Sequence, residues 1–261
     1  MVIDFHTHVF PDAIAPRTLE KLSSVSGYRP VTDLTVSGLL GYMDRARVDI
    51  SVVQPVVTKP SHTLNTNRFA SEICSERIVS FGGIHPDTDD YKRDIDYVCS
   101  LGLKGLKFHA EYQGFVLDEP RMLRIYDYAL EKGLVILHHG GFDPAFPAPF
   151  RSDPKRFANV VAELGGGRIV AAHFGGHDQW DDVEEYLVGK DIYLDTSMGT
   201  EYYGRERFER IVRAHGAERI LFATDSPWSD AVTEIANIKA WSLSDEEKEL
   251  IFHKNAERLL A

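Results

Sequence analysis

Short apolar runs alternate along the chain with longer segments of helical periodicity. A run of four to eight residues rich in Val, Ile and aromatic residues is typical of a buried strand. Eight such runs occur between one end of the sequence and the other. They cover residues 2–5, 51–54, 79–84, 103–109, 134–138, 168–173, 191–195 and 219–224.

The segments between these runs place apolar residues at helical spacing. Examples are GLLGYMDRARV, RMLRIYDYALEKG and RFERIVRAHG, two of which end in Gly, as a helix terminus favours. Strand followed by helix, eight times, predicts one α/β domain over residues 1–261, folded as a closed parallel (β/α)8 TIM barrel. The alternative architecture is an open, doubly wound sheet.

Two connections are unusually long for a compact barrel. Residues 9–34 are predicted to form a long first loop, and residues 140–154 contain too many Pro and Phe residues for a helix. Long loops in a compact domain are frequently functional. Near the C-terminus, Ser244 and Glu247 have the spacing of a capping box, which predicts the start of a closing helix.

Composition and charge restrict the class of protein. Hydrophobic residues make up 43% and charged residues 26% of the chain, as in ordinary globular proteins. No window of 18 apolar residues and no signal-peptide pattern is visible, so we expect a cytoplasmic protein. The net charge of −11 disfavours nucleic acid and anionic membranes as partners. A small-molecule substrate is expected, and a homodimer is one option for the assembly.

Histidines concentrate where the predicted strands end. Because side chains alternate along a strand, His6 and His8 should point in the same direction and could bind one cation together. Each residue also has a structural alternative, since a histidine at a strand end often only forms hydrogen bonds. The carboxyl ends of parallel barrel strands meet at one face, which favours a shared site. Seven of the 11 histidines belong to this set: His6, His8, His85, His109, His138, His139 and His173.

Five motifs, in order along the chain, resemble those of the amidohydrolase superfamily. They are IDFHTH, GLKGLKFH, VILHHGG, IVAAHFGG and ILFATDSPW. Within the superfamily, the chain is similar to the amidohydrolase-related group that includes decarboxylases of the aminocarboxymuconate-semialdehyde and resorcylate type. The resemblance implies a divalent metal, with Zn²⁺ as the first choice and Mn²⁺, Fe²⁺ or Co²⁺ as alternatives.

Carried over by motif, the resemblance implies particular ligands and catalytic residues. The metal ligands would be His6, His8, His138 and Asp225, and the family pattern favours His138 over the adjacent His139. Asp225 would also accept a proton, and His173 would act as an acid or base or bind a second metal.

Residues after strand four leave the number of metals open. Lys107 could be carboxylated and bridge two metals, or it could bind a substrate carboxylate as a free amine. His109 and Glu111 are further candidates for substrate binding or for a second metal. One metal and two metals both remain compatible with the sequence.

The expected function is metal-dependent hydrolysis, in which activated water attacks a lactone, amide or ester-like bond of a small molecule. Nonoxidative decarboxylation of an aromatic or enoic carboxylate is the alternative within the same fold. A TatD-type deoxyribonuclease is less favoured, because GLKGLKFH departs from that group's Gly-Glu-containing pattern and the chain is acidic. A barrel that is not an enzyme is least favoured, because the candidate ligands are all present.

Overall fold

The computed structural model describes all 261 residues. It contains eight strands that match the eight predicted runs, although most of them are shorter. The strands are β1 (Ile3–Thr7), β2 (Ile50–Val53), β3 (Ile78–Ser80), β4 (Gly105–Phe108), β5 (Val135–His138), β6 (Ile169–Ala171), β7 (Tyr193–Asp195) and β8 (Ile220–Leu221).

All neighbouring strands are parallel, and together they close into a barrel. Hydrogen bonding runs in the order β1-β2-β3 and β4-β5-β6-β7-β8. Gly82 pairs with Leu106 and so joins the first group to the second, while Thr7 pairs with Ser226 at the other junction. The predicted (β/α)8 TIM barrel is therefore confirmed, and the open sheet is wrong.

Helices surround the barrel and include one that the sequence pattern missed. The first loop contains a helix, α1, although residues 9–34 were predicted to be a loop; only its first residue, Ala15, is buried. Ser244 and Glu247 form the predicted capping box. The α-helices before residue 245 are α1 (Ala15–Ser26), α2 (Val36–Ala46), α3 (Thr63–Glu72), α4 (Tyr91–Ser100), α5 (Ala110–Gln113), α6 (Pro120–Glu131), α7 (Pro154–Leu164), α8 (Trp180–Tyr186), α9 (Thr200–His215) and α10 (Ala231–Ala240), and further short helical segments cover Asp245 to Leu260. None of them is long and apolar enough to cross a membrane.

Two apolar clusters show which strand residues face the barrel interior. A cluster of 13 buried residues, including Phe5, Val135 and Leu137, fills the barrel interior. A larger cluster of 48 buried residues lies mainly between the strands and the helices. Because side chains alternate along a strand, membership of the inner cluster identifies the positions that continue into the end of the barrel.

Strand β1 has an irregular register that matters for the site. Its pairing with β2 shifts between Asp4 and Thr7. The Asp4 carboxylate accepts hydrogen bonds from the backbone N–H groups of His6 and Thr224, at 3.3 and 3.0 Å, and so connects β1 to β8. The shift lets His6 point into the end of the barrel, although Phe5 directly before it already lies in the inner cluster.

Candidate active site

Three predicted site residues come together at the carboxyl ends of β1 and β8. The Oδ1 atom of Asp225 lies 2.9 Å from His8 Nε2 and 3.3 Å from His6 Nε2. The polar atoms of these residues all lie within 4.8 Å of one another. The backbone also fixes their spacing, because Asp225 N–H donates to the carbonyl oxygen of His6 at 2.8 Å.

Lys107, in β4, contacts the same cluster. Its Nζ lies 2.8 Å from His6 Nε2, and only 1% of the residue is exposed. Burial lowers the pKa of the amine to about 8, while the carboxylates of Asp225 and Asp195 counteract that effect. A lysine whose pKa lies this close to neutrality can lose its proton at modest cost.

Burial favours the neutral form of three histidines in this region. Burial holds the pKa of His6 well below its usual value, and the nearby Lys107 lowers it further. The pKa values of His139 and His173 are depressed in the same way, again chiefly by burial. A neutral imidazole keeps one nitrogen lone pair, which is the form that binds a metal.

The structure does not bring His138 into the cluster. Its ring packs in an aromatic shell outside the barrel, stacked on Phe108 at 5.0 Å and edge-on to Tyr126 at 5.0 Å. Neither ring nitrogen has a hydrogen-bond partner. The side chain that β5 directs inward is His139, which continues the face of Val135 and Leu137. The expectation that His138 rather than His139 faces the pocket therefore needs correction.

His139 and His173 form one hydrogen-bonded unit. His139 Nδ1 lies 2.8 Å from His173 Nε2. On its other side, His173 Nδ1 lies 2.9 Å from the hydroxyl oxygen of Ser197. His173 thus has a partner at both ring nitrogens, whereas His139 Nε2 is buried without one.

Asp195, the last residue of β7, was not predicted as a site residue. Its Oδ2 lies 2.9 Å from His6 Nδ1, and the residue is fully buried. Its Oδ1 accepts from the backbone N–H groups of His173 and Ser197 at 3.0 and 3.1 Å, and from the Ser197 hydroxyl. The available signal was its position, since an acidic residue at a barrel strand's carboxyl end is a candidate for the site.

The remaining candidates from strand four have separate partners. His109 Nε2 lies 3.2 Å from Asp143 Oδ2, and its ring stacks on His139 with centroids 4.1 Å apart. Glu111 instead accepts from the backbone N–H of Arg151 at 2.6 Å and pairs with its guanidinium at 3.2 Å. The structure therefore uses Glu111 to hold the loop after β5 and does not bring it to the cluster.

Aromatic side chains from several loops line the mouth above these residues. Tyr112 meets Phe146 edge-on at 4.9 Å, close to His109. His177 contacts Phe142 and Tyr202, with ring centroids 5.8 and 5.1 Å apart. The mouth is therefore suited to a flat, partly apolar molecule.

The donor set fits a divalent metal. Neutral imidazole nitrogens and a carboxylate are the ligands that catalytic metal sites of the zinc type use. His6, His8 and Asp225 form one such group, and the buried Nε2 of His139 is a further donor without a protein partner. Two other groups of three meet the same distance criterion, His6 with His173 and Asp195, and His109 with His139 and Asp143.

Solved structures share the fold over the whole chain. An uncharacterized TIM-barrel protein from Bordetella bronchiseptica is 17% identical, with coverage of 99% of this chain and 98% of that one and a TM-score of 0.78. A 5-carboxyvanillate decarboxylase from Novosphingobium aromaticivorans, with bound manganese, is 15% identical, with coverage of 100% and 97% and a TM-score of 0.75. A probable 2-pyrone-4,6-dicarboxylic acid hydrolase from Acinetobacter baumannii is 16% identical, with coverage of 99% and 98% and a TM-score of 0.67.

Sequence comparison identifies the family. Curated protein sequences give no significant match. The sequence model described as amidohydrolase, however, matches residues 3–261 and so includes every strand of the barrel and every residue of the cluster. The chain therefore belongs to the amidohydrolase family and is an enzyme.

Proposed function

We propose that this enzyme is a metal-dependent hydrolase that cleaves a lactone, amide or ester-like bond in a small, flat and uncharged molecule. The observation that carries the proposal is the contact of one carboxylate oxygen, Asp225 Oδ1, with both His6 and His8 at the carboxyl end of the barrel. Such a group combines ligands for a metal with a base that can accept a proton.

In this proposal the metal is held by His6, His8, His139 and Asp225. His139 replaces His138 because it follows Val135 and Leu137 on the inward face and its Nε2 is buried without a partner. Its close group of ligand atoms is the neighbouring one with His109 and Asp143. A divalent metal bound there would supply a Lewis acid that polarises a carbonyl group and makes water more acidic. Zn²⁺ suits these ligands, and the manganese in the Novosphingobium decarboxylase supports Mn²⁺ as the first alternative.

The chain's own residues would then manage the proton. Water adds to the carbonyl carbon of the substrate, and Asp225 accepts the proton that the water loses. Oδ1 of Asp225 already takes both histidine contacts, so Oδ2 is the oxygen available for this transfer. When the bond from carbon to the leaving oxygen or nitrogen breaks, the same proton passes to the leaving group.

The charges near the mouth favour an uncharged substrate. Asp143, paired with His109, adds negative charge close to the entrance. Arg151, in the same loop, is paired with Glu111 and is not free to bind a substrate carboxylate. The aromatic pairs around the entrance supply flat apolar surface instead.

Nonoxidative decarboxylation is a second candidate because of Lys107. Its buried amine, 2.8 Å from His6 Nε2, could hold a substrate carboxylate beside the metal ligands. In that reaction the bond from ring carbon to carboxyl carbon breaks, a proton takes the vacated position and carbon dioxide leaves.

The test is a substrate screen of the Zn²⁺- and Mn²⁺-loaded enzyme in which both kinds of product are measured. Neutral aryl esters, lactones and anilides are compared with hydroxybenzoates, with acid release followed by titration and carbon dioxide by a coupled assay. Hydrolysis that is lost in Asp225→Asn, with metal content retained, supports the proposal. Release of carbon dioxide without hydrolysis would favour the second candidate.

A further inference from the structure

The hydrogen bonds around Asp195 form a continuous chain with a single consistent arrangement of protons. Asp195 Oδ1 accepts from two backbone N–H groups and from the Ser197 hydroxyl. Burial raises the pKa of Asp195, and these three donors, together with the nearby Lys107, oppose that shift and favour the ionised carboxylate. The Ser197 hydroxyl therefore donates its proton in a hydrogen bond to the Asp195 carboxylate.

The hydrogen bond from Ser197 to Asp195 determines the tautomer of His173. With its proton directed at Asp195, the Ser197 oxygen can only accept from the ring nitrogen that lies 2.9 Å away, His173 Nδ1. A neutral imidazole protonated at Nδ1 carries its lone pair on Nε2. His173 Nε2 must then accept a hydrogen bond from His139 Nδ1 at 2.8 Å.

The same logic reaches the Nε2 atoms of His139 and His6. Since His139 donates from Nδ1, its lone pair is on Nε2, the buried atom without a protein partner. On the other branch, His6 Nδ1 lies 2.9 Å from Asp195 Oδ2, which can only accept. His6 is therefore protonated at Nδ1 as well, and its lone pair lies on Nε2, beside Asp225 and Lys107.

We propose that Asp195 and Ser197 are positioning residues that set the tautomers of His6, His173 and His139, so that the Nε2 atoms of His6 and His139 present lone pairs to the metal. One carboxylate thereby prepares ligands from β1 and β5, on different sides of the barrel. The inference rests on the metal site of the proposed function and is independent of which reaction the enzyme catalyses.

The substitution Asp195→Asn tests this because the new amide group can take only one orientation. The amide oxygen must take the place of Oδ1, where three donors converge, so the amide nitrogen takes the place of Oδ2. The N–H group there donates to His6 Nδ1 and moves the ring proton to Nε2. Losing such a supporting partner typically weakens metal affinity about 10- to 100-fold.

The matched control is Glu234→Gln. Glu234 is also a buried carboxylate that accepts from a backbone N–H, that of Thr200 at 2.8 Å, and from a serine hydroxyl, that of Ser229 at 2.7 Å. It contacts no histidine of the cluster. We expect Zn²⁺ affinity, measured by competition with a fluorescent chelator, to fall in Asp195→Asn and to stay within about twofold of wild type in the control, since no ligand is reoriented there.

Nitrogen-15 NMR of histidine-labelled, full-length protein supplies a readout that a purely structural role would not change. In wild type, we expect His6, His139 and His173 to be protonated at Nδ1, with Zn²⁺ bound and also without it. Ser197→Ala should change the signals of His173 and His139 most and those of His6 less, because the Ser197 hydroxyl oxygen lies 2.9 Å from His173 Nδ1 and 3.3 Å from His6 Nδ1. This variant keeps the test valid if Asp195→Asn fails to fold.

Three results would overturn the proposal. The first is a wild-type His6 ring protonated at Nε2, and the second is Asp195→Asn with wild-type zinc affinity. The third is a second zinc ion per chain that Asp195→Asn removes, because Asp195 would then be a ligand itself. If no metal binds at all, the proposed function fails, whereas the tautomers can still be read from the metal-free spectrum.

Discussion

Replacing His138 by leucine should stabilise the protein and leave its metal content unchanged. The ring is 1% exposed, and neither of its nitrogens has a hydrogen-bond partner. Its neighbours are the rings of Phe108, Tyr126, Phe115 and Phe157. Leucine is close to histidine in volume and carries no polar atom, so it suits this shell better than the native side chain.

The expected increase in the free energy of unfolding comes from removing the two unpaired nitrogens. Each buried polar group without a partner costs about 1–3 kcal/mol. Two costs oppose this gain. Losing the stacked contact with Phe108 costs about 0.5–1.5 kcal/mol, as for an aromatic pair. Repacking costs less than about 1.5 kcal/mol for a substitution that conserves volume. We expect the free energy of unfolding to rise by about 1–2 kcal/mol.

Wild type and His138→Leu are compared by urea denaturation, followed by circular dichroism, and by elemental analysis of metal. The matched variant is His139→Leu, in the adjacent position but on the inward face, which we expect to lose metal. Loss of metal from His138→Leu, with metal retained in His139→Leu, would refute the assignment. A fall in stability of His138→Leu by more than 2 kcal/mol would show that its nitrogens do have partners.

Three further predictions address the loop after β5, the closing helix and the origin of stability. Glu111→Gln should weaken the link to Arg151 and raise KM severalfold with metal content unchanged, and an unaltered KM would show that this link does not shape the mouth. Asn255→Ala should lower the free energy of unfolding by about 2–4 kcal/mol in urea titrations, because its amide donates to the buried carbonyls of Ala217 and Ile220; a change below 1 kcal/mol would contradict this. Removing metal with a chelator should leave the far-ultraviolet circular dichroism spectrum unchanged, since two apolar clusters hold the barrel together, and unfolding on chelation would contradict that reasoning.

The barrel itself was predictable because its pattern is repeated. Eight buried strands separated by amphipathic helices leave few other architectures for a chain of this length. Helix α1 was missed because the whole of residues 9–34 was interpreted as one long loop. Its apolar residues do recur at helical spacing, although only Ala15 is fully buried.

The sequence indicated most of the residues that the structure brings together at the end of the barrel, and the departures have physical causes. On β5, alternation from Val135 and Leu137 leads directly to His139, but the choice between the two histidines followed the family motif instead. On β1, simple alternation from Phe5 would have excluded His6, and only the register shift brings it into the site. Asp195 acts through other residues, so no pair spacing in the sequence indicates its role.

The proposed function requires one divalent metal, held by residues at the carboxyl ends of β1, β5 and β8. Elemental analysis of purified, unsupplemented protein, with the double variant His6→Ala/His8→Ala alongside, tests it most directly. We expect one metal per chain in the wild type and none in the double variant, which should keep its circular dichroism spectrum. Two metals per chain, or none after metal is added back to the wild type, would contradict it.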